Sequence, residues 1–160
     1  MAEDTVSIEH PNREKASSKA TRATVVFLLL VSAGLVLVVT IGGWDALQGA
    51  KGVQIAYVAL YLLLAFYVLR WNRGVLPVTA ALAIILLIFA AVSVPGWFDR
   101  DQTGFEDPAL DSGVLGLVTA LIIPVQLLLI AFAMRGFAQA WNVEVERHSD
   151  GSTHAVPATG

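Results

Sequence analysis

The chain has 160 residues, 56% of them apolar and only 14% charged, with a net charge of −3 and no cysteine. An average soluble domain carries about 25% charged residues, so a wholly soluble protein is excluded. The missing cysteines exclude disulfides, thiolate catalysis and Cys-ligated zinc or iron–sulfur sites.

In chain order, residues 1–22 are polar and too poor in apolar side chains to pack a core, and they are expected to form a disordered tail. Four long apolar runs follow, at 23–41, 53–69, 75–94 and 114–134, and none contains Asp, Glu, Lys, Arg or His. A helix needs about 20 residues to cross roughly 30 Å of hydrocarbon. Alternation typical of a β-barrel is absent, and in lipid each backbone group must be satisfied within its own segment, so each run predicts a transmembrane helix. The expected fold is an all-α integral membrane protein, a four-helix antiparallel up-down bundle over 23–142, followed by a second disordered tail at 143–160. The first run reads as a retained anchor. It follows 22 polar residues, exceeds the roughly 7–15 residues of a signal-peptide core, and has no A-x-A site after it.

Charge predicts the orientation. With the N-terminus inside, the inner segments hold Arg13, Lys15, Lys19, Arg22, Arg70, Arg73, Arg135 and Arg147, and the outer loops only Lys51 and Arg100. The outer loops also carry Asp45, Asp99, Asp101, Glu106, Asp107 and Asp111. Both tails are therefore expected in the cytoplasm, and the Ala, Val and Leu richness suggests a bacterial cytoplasmic membrane. The inner basic residues are nearly balanced by acidic ones, which argues against nucleic-acid binding. Trp44, Trp71, Trp97 and Trp141 stand at or just beyond the run ends, where an indole settles at headgroup depth.

Within the second run Gln54, Tyr57 and Tyr61 share one face, and Tyr61 lies roughly 12 Å below the first residue at about 1.5 Å per residue. Its hydroxyl needs a partner. The five-residue link RWNRG at 70–74 forces an antiparallel hairpin between the second and third runs, and Pro77 falls harmlessly in a first helical turn.

The loop 95–113 opens with PGWFDRDQTGF. Asp99, Asp101 and Thr103, then Gly104 and Asp107, match the first half of a calcium-binding EF-hand loop, but Leu110 occupies the place of its bidentate Glu and Pro108 stiffens the return. A plain acidic turn held by Trp97, Phe98 and Phe105 is the leading reading, ahead of a partner contact and a weak calcium site.

In the fourth run Ser112, Gly116 and Ala120 recur at every fourth position, a seam of small residues against which another helix could pack closely. Pro124 frees the carbonyl of Ala120, while Thr119 and Gln126 lie near one face. These two, with Gln54, Tyr57 and Tyr61, are expected chiefly to bond between helices; the alternative is a pocket for a solute or a lipid headgroup lined by Tyr57, Tyr61, Thr119 and Gln126. Beyond the run, RGFAQAWNVEVER at 135–147 is expected to lie along the headgroups through Phe137 and Trp141. His148 and His154 are too sparse for a metal site.

The absences narrow function further. Proton-coupled transporters and small multidrug exporters need an intramembrane carboxylate or histidine, haem-binding bundles need helix histidines, and quinone-linked thiol oxidoreductases and tetraspanins need cysteines. The three histidines, His10, His148 and His154, all fall in the tails. No nucleophile and base pair can be assembled from the helices, no internal repeat is visible, and neither an enzyme nor a cofactor protein is expected. The leading expectation is an accessory or structural subunit associating laterally with other membrane proteins or with itself, with the lipid bilayer as its solvent. The alternative is an oligomeric channel or facilitator for a neutral or weakly polar solute.

Overall fold

The computed structural model describes residues 5–101 and 108–156, Asp101 by its backbone alone. In chain order its elements are β1 (Ser7–Glu9), α1 (Pro11–Glu14), α2 (Ala16–Gly42), α3 (Lys51–Leu69), α4 (Val75–Phe98), α5 (Ser112–Ala138), β2 (Val145–Arg147) and β3 (Thr153–Ala155), with 3-10 turns at Trp44–Ala46 and Asp99–Asp101. The four helices α2 to α5 are long and apolar enough to cross a membrane.

Each helix outruns the apolar segment that predicted it. α2 begins at Ala16 and α5 continues to Ala138, because Lys19, Arg22 and Arg135 are good helix formers that end an apolar run without ending a helix. α4 passes through Pro95 to Phe98; in a last turn, proline forfeits a single backbone bond. Asp111 starts α5 as an N-cap, its carboxylate accepting from the backbone N–H of Gly113 at 2.9 Å and Val114 at 3.2 Å.

The helices pack antiparallel. The Thr40 hydroxyl near the end of α2 meets the Gln54 side chain near the start of α3, and Arg22 near the start of α2 donates to the carbonyl of Leu69 at the end of α3. α2 also runs along α5, with Ser32 meeting Gln126 midway and Thr21 meeting Gln139 just past the end of α5. α5 packs in turn on α4, where Gly116 lies under Phe98 and Gly136 against Leu76. The series of close neighbours is thus α3–α2–α5–α4, and α3 and α4, although consecutive in the chain, barely touch. Inside, Val25, Leu29, Val68, Leu76, Ala83, Leu115 and Leu129 are fully enclosed. Outside, the surface is apolar too, with Val92 74% and Leu117 65% exposed, so the polar outer face of a soluble bundle is missing.

Where expectation put disordered tails, the described residues of both tails form short strands. β1 pairs antiparallel with β2, Ser7 opposite Arg147 and Glu9 opposite Val145, and β2 pairs with β3, Val145 opposite Ala155. The resulting sheet, in the order β1-β2-β3, ties the start of the described chain to its end. A count of apolar residues misses this because the tails need no core of their own; they dock on the helix ends. Asn12 donates to the carbonyl of Ala140 at 3.0 Å, and Arg13 donates to that of Trp141 at 2.9 Å. His10 meets Glu144 at 3.1 Å, and Arg147 meets Glu9 at 3.3 Å. The β2–β3 connection turns through Gly151 at φ 83°, a left-handed conformation open to glycine, and the Gly151 amide donates to the carbonyl of His148 at 3.0 Å. Ser152 donates to Asp150 from its hydroxyl at 2.6 Å and its amide at 2.8 Å, which holds that carboxyl below its ordinary range.

Two helix ends adopt positive φ without glycine, Trp71 at 61° after α3 and Ala140 at 49° after α5. This is the position where helices usually place Gly, and a side chain there costs about 1–2 kcal/mol. After α3 the amides of Trp71 and Asn72 return to the carbonyls of Val68 and Tyr67 and close the helix. The two turns together bring the rings of Trp71 and Trp141 edge to face at 5.2 Å.

Candidate functional site

At the centre of the helices lies a polar relay. The hydroxyl of Tyr61 on α3 donates to Oε1 of Gln126 on α5 at 2.8 Å, Nε2 of Gln126 donates to Oγ of Ser32 on α2 at 2.9 Å, and Ser32 donates to the carbonyl of Leu28 at 2.7 Å. All three side chains are fully enclosed. The chain of bonds ends on a backbone carbonyl and holds no group that changes charge near neutral pH. Its chemistry is therefore positional: it fixes the register of three helices where apolar packing alone could slide.

Other hydroxyls bond backward along their own helices. Thr40 donates to Val36, Thr79 to Val75, Ser93 to Phe89 and Thr119 to Leu115. Among the described residues, the Oγ of Ser18 is the one enclosed side-chain polar atom without a partner. Pro124 lies on an exposed face of α5, and neither Thr119 nor Gln126 turns to the carbonyl of Ala120.

Where α3 and α4 part, a cleft of about 390 Å³ opens, with Val36 and Val39 of α2 and Ile122 of α5 lining it between them. Its walls are Val53, Gln54 and Tyr57 on one side and Leu86, Phe89 and Trp97 on the other. Tyr57 spans its deep end, donating to the carbonyl of Leu82 at 3.3 Å. Arg100 stands at the loop end, donating to the carbonyl of Ala46 at 3.2 Å with its guanidinium carbon 5.0 Å from the Trp97 ring. Of the residues expected to line a pocket, Tyr57 and Thr119 do so, joined by Gln54. Tyr61 and Gln126 do not, because each is already bonded to the other.

Several expectations change. Trp44 is 43% exposed at a helix end, but Trp97 and Trp141 are 5% and 0% exposed, enclosed by the protein itself. Trp97 is drawn in because Gly43 leaves room for its ring, and Trp141 because Gly136 does. The segment after α5 therefore folds back over the helix ends instead of lying flat. Phe137 is half-buried with the guanidinium of Arg73 at 3.9 Å from its ring, and Arg22 sits 4.2 Å from that of Trp71. In the seam of Ser112, Gly116 and Ala120, Gly116 meets a partner within the same chain: a Cβ on it would come within 2.8 Å of the Phe98 ring. Asp99 and Asp101 fall in a 3-10 turn, while Thr103, Phe105 and Asp107 lie outside the described residues. Among the described residues no cluster of three or more His, Asp or Glu could hold a metal ion. The rings of His148 and His154 do meet across the hairpin, at 5.5 Å, but as a pair.

Sequence reasoning passed over Ser32, Thr40 and Arg100. The first two were legible as hydroxyls two turns apart on one face of the first run, a spacing that marks a polar stripe. Arg100 carried no signal, since its place at the cleft depends on the parting of α3 from α4. No protein-family model, no curated protein and no solved structure matches this chain.

Proposed function

We propose that this chain is an integral membrane protein with both tails in the cytoplasm, working as a non-enzymatic accessory or structural subunit that associates laterally with other membrane proteins or with itself. The observation that carries this reading is that the deep polar groups are bonded to one another while the outer faces of four helices are apolar. Such a molecule offers neighbours in the bilayer a stiff apolar flank. Docking of both tails on the same helix ends supports an even number of crossings, and the excess of basic residues there supports the cytoplasmic side. The bacterial cytoplasmic membrane remains the compositional choice.

The channel reading draws less support. Tyr61 and Gln126, its best lining residues, plug the centre by bonding each other at 2.8 Å.

Two measurements test the proposal. The chain has no cysteine, so single cysteines report cleanly. In intact cells a membrane-impermeant maleimide is expected to label Gly49→Cys and to spare Ser152→Cys; the reverse pattern overturns the orientation. Native mass spectrometry of nanodiscs formed directly from the protein's own membrane is expected to give a stoichiometric complex with a second membrane protein or a defined homo-oligomer. A bare monomer ends the lateral-association reading.

A further inference from the structure

The cleft between α3 and α4 has a size, a shape and a polarity gradient that together select an occupant. Along α4 its wall runs from Leu86 to Trp97, roughly 16 Å at about 1.5 Å per residue. About 390 Å³ spread over that length makes a long, narrow slot, a shape that suits one extended hydrocarbon chain.

Polarity changes along the slot. At the loop end stand the Arg100 guanidinium and, nearby, the Gln54 side chain, whose amide lies 2.6 Å from the Thr40 hydroxyl. Deeper in, Val36, Leu86 and Ile122 close the walls, and the Tyr57 hydroxyl is turned to a carbonyl. Such a slot takes a molecule with acceptor oxygens at one end and a long apolar body. Arginine suits the oxygen end because its fork of N–H groups matches a phosphate. The cleft also opens sideways, between helices whose outer faces carry exposed Val53 and Phe89, so a chain can enter from the surrounding lipid without crossing water.

We infer that the cleft between α3 and α4 binds one acyl chain of a membrane phospholipid, with the phosphate at the level of Arg100. This rests on the membrane reading above, and the experiment separates the two. Full-length protein in mild detergent is supplied with phosphatidylglycerol and examined by native mass spectrometry under conditions that strip the micelle. A single retained phospholipid per chain is expected. Gly96 lines the cleft, and a Cβ placed on it would meet nothing within 4 Å, so Gly96→Phe adds its bulk at the slot from an open position. Gly52, equally open on α3 but outside the slot, gives the matched control Gly52→Phe.

Retention is expected to fall about tenfold or more in Gly96→Phe, a difference of a factor of ten in affinity, and to survive in Gly52→Phe. Arg100→Gln is expected to abolish any preference for phosphatidylglycerol over diacylglycerol of the same chains. Equal retention by the two phenylalanine variants, a ladder of lipids with no preferred number, or capture of free fatty acid in place of phospholipid overturns the inference, and an unchanged preference in Arg100→Gln overturns the phosphate assignment. Recovery of the wild type in the membrane fraction with no retained lipid sinks the cleft alone, whereas recovery in the soluble fraction sinks the membrane reading with it.

Discussion

The two sides of this helical array use glycine in opposite ways. On the side where α5 meets α2 and α4, Gly116 and Gly136 are covered by Phe98 and by Leu76 with Trp141, so the missing side chain is what lets the ring approach. On the side where α3 and α4 part, Gly96 faces open space. One side is closed by shape and by a completed polar relay; the other is spanned by the bond from Tyr57 to Leu82. Small residues in a membrane-type helix therefore do not announce a partner by themselves. What matters is whether the chain itself fills the space they leave.

The largest effect that would break this contrast is expected at Trp141. It is fully enclosed, packs against Trp71 and Gly136, and donates from Nε1 to Gln139 at 3.1 Å. Trp141→Ala is expected to cost about 3–5 kcal/mol, the range for emptying a buried aromatic site, and to release the tail sheet as well. Thermal unfolding in detergent with proteolysis of the tails as a second readout checks this. Trp44→Ala, at an exposed ring, is expected to change stability by no more than about 0.5 kcal/mol; equal costs would mean that Trp141 is not the clasp.

Paired glycine substitutions sharpen the contrast at the next scale. Gly116→Leu must displace the Phe98 ring and is expected to cost about 1–3 kcal/mol. Gly96→Leu sets its Cβ in open space and replaces a poor helix former, so it is expected to gain up to roughly 1 kcal/mol. Melting temperatures shifting in the same direction for both would erase the distinction between a closed and an open side.

The relay gives the third test. Gln126→Leu orphans the Tyr61 hydroxyl and is expected to cost about 1–2 kcal/mol, since an unpaired buried donor loses its full desolvation. Tyr61→Phe with Gln126→Leu removes both partners and is expected to lie closer to wild type than Gln126→Leu alone. If the double variant costs the sum of the two singles, the hydroxyl and amide act independently, and the relay is not a unit.

The helices were legible because four long uncharged runs have few other readings, whereas the tails were not, because a composition count asks whether a segment can bury its own core and these segments borrow one. Arg13, Asn12 and His10 look like solvated charge and polarity in the sequence; each finds its partner at the other end of the chain, among Trp141, Ala140 and Glu144. The hairpin carried a local signal in the alternation of VEVER and the DG pair at 150–151, outweighed by the polarity around it. Trp97 and Trp141 turn into the protein, which their place beside a run end did not reveal, because only packing sets which way a ring turns. The cleft was invisible for a related reason: loop lengths show that α3 and α4 are consecutive, not how far apart they lie.

The smallest expected effect concerns that hairpin. Asp150 is fully exposed, and the hydrogen bonds from Ser152 lower its carboxyl below the ordinary value, so its contribution to the turn is complete above the ordinary carboxylate range and is lost as pH falls through the lowered one. The Ser152 amide resonance is therefore expected to titrate below the ordinary Asp value of about 3.9, and to stay flat across the same range in Asp150→Asn. A midpoint at the ordinary value would mean that the turn does not hold its carboxylate in solution. Because the sheet is also tied by Arg13 and Trp141, acid should loosen the tip of the hairpin before it frees the tails. Simultaneous loss of both would show that the tip, and not the buried indole, carries the cap.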